Sequence, residues 1–266
     1  MLVVGELINT SRKHIREAVE AKDAAYIQRI AKEQVEAGAD YLDINCGTRV
    51  FDEEETMAWL VNTVREVVQL PLCIDSPNPK ALAVGLEFAS SGQSMVNSIS
   101  AEKERFESVL PLVQKYKTKV VALCMDDKGI PETAEDRLRV ADKLISDLLA
   151  EGILQDDIYL DPLIKPLGVN NQYGVEVLDS VRSIHLKYPK IHFVCGLSNI
   201  SFGLPERKLL NRAFMVMNIA VGMDAFILDP LDQSIMSMFG AARALAGQDE
   251  YCMEYITGVR AGRIKA

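Results

Sequence analysis

At 266 residues, 48% apolar and 25% charged, the chain can bury a full core and fold alone, and its length suits one (β/α)8 barrel without a second large domain. A net charge of −9 with 3 histidines argues against a nucleic-acid surface, which needs clustered Lys and Arg, and no window approaches the apolar run of about 18 residues that a membrane span requires. The start MLVVGELIN lacks the basic region and cleavage site of a secretion signal, and the cysteines, no two closer than 27 positions, show no CxxC or iron–sulfur spacing, so reduced, mostly buried thiols in a cytoplasmic protein are expected.

The first apolar run, LVVGELIN, predicts a strand that stops at Glu6 and Asn9. Asp23 is then placed to cap a helix with Ile27, Ile30, Ala31 and Val35 on one stripe, ended by Gly38. YLDIN is the second strand, with Asp43 and Asn45 at its end. DEEETMAWLVNTVREVVQL reads as a helix whose acids, Asp52 to Glu55, suit the helix dipole and are expected to be solvated. LCID, the third strand, ends at Asp75, and Pro77 and Pro79 bracket the start of the next helix. MVN stops at Asn97 and leads into SAEKERFESVLPLVQKY, a helix with a serine cap and an acidic first turn. VVALCMD ends at Asp126, and TAEDRLRVADKLISDLLAEGI is the clearest amphipathic helix. The last three strands, IYLD, FVCGLSN and AFILD, stop at Asp161, Asn199 and Asp229. The run FMVMNIA, with Met215 and Met217, reads as helix core or subunit contact.

Strand, polar loop and helix thus repeat about every 30 to 40 residues, which predicts parallel strands joined by right-handed crossovers. Eight such units predict an α/β fold, one (β/α)8 TIM barrel over residues 1–266. An open nucleotide-binding sheet would carry a glycine-rich turn after its first strand, and neither GxGxxG nor GxxxxGK[ST] occurs. The loops DPLIKPLGVNNQYG and GLSNISFGLPERKLLNR, rich in Pro, Gly and Asn, are expected to wall the site.

In a closed barrel, strand ends far apart in sequence converge, so Asp75, Asn97 and Asp161 can surround one ligand. Two carboxylates and an amide suit a flat heterocycle bearing N–H donors and a carbonyl, such as the amino-pyrimidinone of a pterin; each charge-assisted hydrogen bond contributes about 1.5–3 kcal/mol. At these residues the chain resembles the pterin-binding methyltransferases, specifically the methyltetrahydrofolate:corrinoid protein methyltransferases, whose barrel is dihydropteroate synthase-like. The resemblance covers essentially the whole chain, from VGELIN through DINCG, LCIDS, MVNSIS, LDPLI and GLSNISFGLP to LLNRAF. Singly, an Asp or Asn at a strand end is more often a helix cap or loop anchor; three in the family's pattern are not.

The resemblance implies a pterin held by Asp75, Asn97 and Asp161, a catalytic Asn199, and methyltetrahydrofolate or tetrahydrofolate as substrate. It implies a homodimer, and a cobalt(I) corrinoid carried by a partner protein as the other methyl carrier. No DxHxxG corrinoid motif is present, which fits a separate carrier, and no histidine ends a strand, so no protein-bound metal is expected. Gly196 and Ser198 flank Asn199 and permit close approach of a flat ring. Glu6, Asn9, Asp43 and Asn45 are expected as rim contacts that order a polar floor. Lys165, Arg207 and Lys208 are candidates for the glutamate tail of folate, with ordinary solvation as the alternative.

The chemistry gives Asn199 a role. A methyl group on N5 leaves a tertiary amine, so N5 must gain a proton or strong hydrogen-bond support as the bond breaks. The asparagine carbonyl can accept a hydrogen bond from protonated N5, with solvent as the proton source. In-line attack by cobalt places the methyl group at the barrel mouth, and no covalent enzyme intermediate is required. The alternatives are a noncatalytic folate-binding subunit, a barrel lyase, and dihydropteroate synthase, whose cations near strands seven and eight are replaced here by GLSN and FILDP. The direction of transfer is open.

Overall fold

Strand alternation is visible in the packing of the computed structural model, which describes residues 1–89 and 92–265. Among these residues β1 (Leu2–Asn9), β2 (Tyr41–Asn45), β3 (Leu72–Asp75), β4 (Met95–Ser100), β5 (Lys119–Leu123), β6 (Ile158–Asp161), β7 (His192–Gly196) and β8 (Ala225–Leu228) form a closed barrel. Every neighbouring pair is parallel, including β8 on β1. The expected (β/α)8 barrel is the observed fold.

Around it lie α1 (Lys13–Glu20), α2 (Ala24–Glu36), α3 (Glu53–Arg65), α4 (Pro79–Phe88), α5 (Lys103–Tyr116), α6 (Ala134–Ala150), α7 (Tyr173–Lys187), α8 (Arg207–Val221), α9 (Gln233–Leu245) and α10 (Met253–Arg260). The outward side chains of the strands, among them Leu42, Ile44, Leu72, Ile74, Val120, Leu160 and Phe226, join the helices in one apolar layer. The inward ones, Val4, Tyr41, Cys73, Met95, Val121, Tyr159, Val194 and Ala225, form a second cluster that fills the barrel. Two residues further along each strand, the same parity puts Glu6, Asp43, Asp75, Asn97, Asp161 and Gly196 on the inner face, and two beyond Asp43 it puts Asn45 there.

Several helix starts follow their capping residues: Asp23 accepts from Tyr26 N, Asn78 from Lys80 N just before Pro79, and Thr133 from Asp136 N. Others differ from expectation. The helix after β4 has no serine cap: Glu102 is its N-cap, and Ser100 Oγ donates to the Glu102 carboxylate at 2.8 Å. Glu53 is not solvated; it is 6% exposed and accepts from Ser76 Oγ at 2.6 Å, tying α3 to the end of β3. Asp126 lies beyond β5 in a small bridge with Gly129, and β7 stops at Gly196, where a 3-10 turn, Leu197–Ser201, takes over.

In α2 the buried stripe includes Gln34, while Val35 is half-buried. Its placement follows from β1, which slips register against β2 between Gly5 and Ile8. The slip leaves Leu7 N without a strand partner, and Gln34 Oε1 accepts from it at 3.0 Å. Met215 is fully buried and Met217 is 50% exposed. Four cysteines are buried and Cys252 is exposed.

A Cβ at Gly5 would sit 2.5 Å from Gln34 Oε1. Gly5→Ala is therefore expected to displace Gln34, leave Leu7 N unpaired and destabilise the fold by about 1–3 kcal/mol. Urea unfolding checks this: a lower midpoint with an unchanged slope is expected.

Candidate active site

The barrel register sets the polar strand ends at one level. Asn45 lies opposite Asp75, Asp75 opposite Asn97, and Leu123 opposite Asp161. Asn45 is locked: its Oδ1 accepts from Gly47 N at 3.1 Å, and its Nδ2 donates to Asp75 Oδ2 at 2.7 Å. One layer deeper, Asp43 is 2% exposed and its Oδ1 has no hydrogen-bond partner. Burial, and then the nearby charge of Asp75, pushes the Asp43 carboxyl well above the ordinary range; the side chains of Cys73 and Asn97 offset this only in part. Asp75, which keeps part of its surface open, is pushed up to about 6 by burial, against the opposing pull of Asn45 and Arg105. The pair is therefore uneven, with the deeper Asp43 raised more strongly than Asp75 above it.

Asp161 is buried, and burial pushes it up to about 7 against the Leu163 N–H, 2.8 Å away, and the charge of Arg137. Glu6 is raised by burial and opposed by Arg12, which it meets at 2.6 Å. β4 slips register against β5 between Asn97 and Ile99, and the Asn97–Ser98 peptide is cis.

Asn199 is exposed on the 3-10 turn. A Cβ at Gly196 would come within 3.4 Å of Asn199 Nδ2, so glycine leaves the amide its room. The turn is fastened to α8: Arg207 Nη2 donates to Ser198 O at 2.7 Å and Arg207 Nε to Ser201 Oγ at 3.1 Å. Leu167 N donates to Ile200 O at 3.0 Å, joining the long loops after β6 and β7 as walls of one mouth. A cavity of about 140 Å³ opens beside the turn, bordered by Glu6, Arg12, Ser198, Asn211 and Asp229.

Of the residues singled out in the sequence, Glu6, Asp43, Asn45, Asp75, Asn97, Asp161, Gly196 and Ser198 gather on the inner rim. Past the slip in β1, Asn9 pairs with Asn45 and so joins them, its Oδ1 accepting from Ser11 N. The candidate tail-binding cations are engaged within the protein, Lys165 with Glu132 at 3.0 Å, Lys208 with Asp232 at 3.0 Å, and Arg207 with the turn. Arg105 and Arg137 went unnoticed in the sequence, although both lie in first turns of helices, where cations are disfavoured. His192, uninformative in sequence, pairs with Asp224 at 2.6 Å and stacks on Tyr159 at the opposite end of the barrel. Among the described residues no group of three or more His, Cys, Asp or Glu side chains could hold a metal ion, and no helix is long and apolar enough to cross a membrane.

Comparison with known proteins bears on this rim. The family described as pterin binding enzyme matches residues 5–229. The methylcorrinoid:tetrahydrofolate methyltransferase of Eubacterium limosum is 35% identical over 99% of this chain and 98% of its own length. Methionine synthase of Mycobacterium tuberculosis is 31% identical over 86% of this chain, which spans 20% of that longer protein. Among solved structures, the dihydropteroate synthase of Yersinia pestis superposes with a TM-score of 0.68 at 18% identity, over 92% of this chain and 93% of that one. That of Xanthomonas albilineans, in complex with indole-2-carboxylic acid and 6-chloroguanine, gives a TM-score of 0.68 at 20% identity over 92% of each chain. At such identities these two likenesses concern the fold alone.

Burial raises Asp161 from 3.8 to about 7, so the folded chain binds a proton there more tightly than the unfolded chain does. The resulting stability is complete below about pH 4 and is lost as pH rises through about 7. Asp161→Asn removes that dependence. In urea titrations the variant is expected to gain on the parent steadily from about pH 4 to about pH 7 and to hold a constant advantage above about pH 8.

Proposed function

The chain belongs to the pterin-binding enzyme family, among its methyltransferases, and from that premise we propose that it moves a methyl group between N5 of tetrahydrofolate and the cobalt of a corrinoid carried by a separate protein. The observation that carries this reading is the convergence of Asp75, Asn97 and Asp161 on one inner rim beside an exposed Asn199. Two acceptor carboxylates answer the N–H groups of an amino-pyrimidinone, and the Asn97 amide can serve either its donors or its carbonyl. The unpartnered Asp43 Oδ1 beneath them fits a floor completed by ordered water under the ring.

The ring held in this way places N5 toward the mouth. When the methyl group leaves, the electron pair of the carbon–nitrogen bond stays on N5, which ends the reaction protonated. Asn199 offers its carbonyl to that new N–H and so binds the transition state more tightly than the methylated tertiary amine, which has no proton to give. Solvent reaches the exposed turn and supplies the proton. In the reverse direction N5 loses its proton and takes up the methyl group at the same position. The corrinoid supplies the metal that accepts or donates the methyl group; the chain binds, orients and manages the proton. A synthase that expels diphosphate would want cations where β7 and β8 end, and those ends read GLSN and LDP. The four buried thiols suit a reducing, cytoplasmic setting.

Anaerobic spectroscopy of cob(I)alamin with methyltetrahydrofolate tests the proposal: protein-dependent methylcobalt formation is expected, and none, with either free cobalamin or a corrinoid protein, would refute it. Asn199→Ala is expected to slow transfer by about 10- to 100-fold while methyltetrahydrofolate affinity changes by less than about threefold, since the lost bond forms only as N5 is protonated. Unchanged transfer in this variant would remove Asn199 from the mechanism.

A further inference from the structure

Two arginines stand behind the ring-binding carboxylates, and helix physics accounts for neither. Arg105 lies in the first turn of α5 and Arg137 in the first turn of α6, where the positive end of the helix dipole disfavours a cation. Burial adds to the cost: Arg137 is 0% exposed, Arg105 is half-buried, and desolvation works against the charge of both. The compensating contacts are of one kind. Arg105 donates from Nε to Ser98 O at 2.8 Å, from Nη1 to Pro77 O at 2.5 Å and from Nη2 to Ser76 O at 2.9 Å. Arg137 donates from Nε to Pro162 O at 2.9 Å, from Nη2 to Leu163 O at 3.3 Å and from Nη1 to Glu132 O at 2.8 Å.

All but the Glu132 carbonyl belong to residues one or two positions after Asp75, Asn97 or Asp161. Each guanidinium gives its N–H groups to backbone, and the carboxylates keep lone pairs for a ligand. We infer that Arg105 and Arg137 are positioning residues of the site: each pins the chain just beyond a ring-binding carboxylate and sets a positive charge behind it without capping it. Arg105 also ties the end of β3 to the end of β4, fixing Asp75 and Asn97 relative to one another. The identity of the ligand, an amino-pyrimidinone whose N–H groups need ionised acceptors, rests on the folate reading above.

The charges around each carboxylate define what the arginines do. Asp75 faces Asp43 and the Asn45 amide from β2, Glu53 from α3 and Arg105 from α5, and of these Arg105 carries the positive charge. Asp161 faces Arg137 from α6, the thiols of Cys124 and Cys195, and its own Leu163 N–H. A side chain that merely filled space here would leave the ionisation of Asp75 unmoved when exchanged for methionine.

The test compares Arg105→Met and Arg105→Lys with the parent, by carboxyl NMR titration of the ligand-free protein and by methyltetrahydrofolate binding from about pH 5 to 9. Arg105→Met is expected to move the Asp75 midpoint up by about one pH unit. It should also weaken binding about tenfold near pH 6, the deficit narrowing by pH 9, where the carboxylate ionises regardless. Arg105→Lys keeps the charge and loses the three-way fork, so it should restore the midpoint and not the full affinity. An unmoved midpoint in the methionine variant, or an affinity loss equal at every pH, would overturn the inference. If the methionine variant does not fold, the lysine variant decides: parental affinity overturns the fork, weaker binding at a parental midpoint supports it. A parent that binds no methyltetrahydrofolate refutes the folate reading, and the ligand-free titration still decides the role of Arg105.

Discussion

Everything at the mouth of this barrel depends on the period-two alternation of strands whose two faces are both buried. One face must be apolar to receive the helices, and the other must fill the barrel and then, at the rim, stop filling it. The change occurs within two residues along a strand: Cys73 to Asp75, Met95 to Asn97, Tyr159 to Asp161. A one-residue shift in any of these strands would turn its polar end under a helix and bring an aliphatic side chain to the ligand. Fold and site are therefore one constraint read at two heights of the same strands.

Having brought carboxylates inside, the protein must manage their desolvation. It does so unevenly. Asp75 has a donor amide and the charge of Arg105, Asp161 has one backbone N–H and the charge of Arg137, and Asp43, with the least to offset its burial, is raised well above the ordinary range. The result is a graded set of acids within one small volume, with Asp43 lying beneath Asp75 and raised more strongly than it. Neutralising all of them by ion pairs would use up the lone pairs that a ligand needs.

Much of this was legible in the sequence because it is periodic. The ends of β1, β2, β3 and β6 declared themselves where an apolar run met Asp or Asn, and helices with a capping Asp, Asn or Thr began where those residues stood. What escaped was non-periodic and tertiary. Gln34 looked like an ordinary helix residue, and its burial makes sense only beside the register slip in β1. Glu53 stood in an acidic run suited to solvent, and Ser76, from another unit, drew it inside. Arg105 and Arg137 did leave a trace, a cation at the wrong end of a helix, but their targets are carbonyls on other units.

The attachment of Asn199 differs from that of the other groups at the rim. Asp75, Asn97 and Asp161 lie on barrel strands, whereas Asn199 hangs from a five-residue 3-10 turn held through Arg207. In the proposed chemistry the strand-borne groups meet the part of the folate that is the same before and after transfer. They grip substrate and product alike and so give affinity for both without telling them apart. Only the amide on the turn distinguishes the two folates, by a single proton. In that chemistry the one group that tells the two folates apart is also the one held by a helix, α8, and not by a strand.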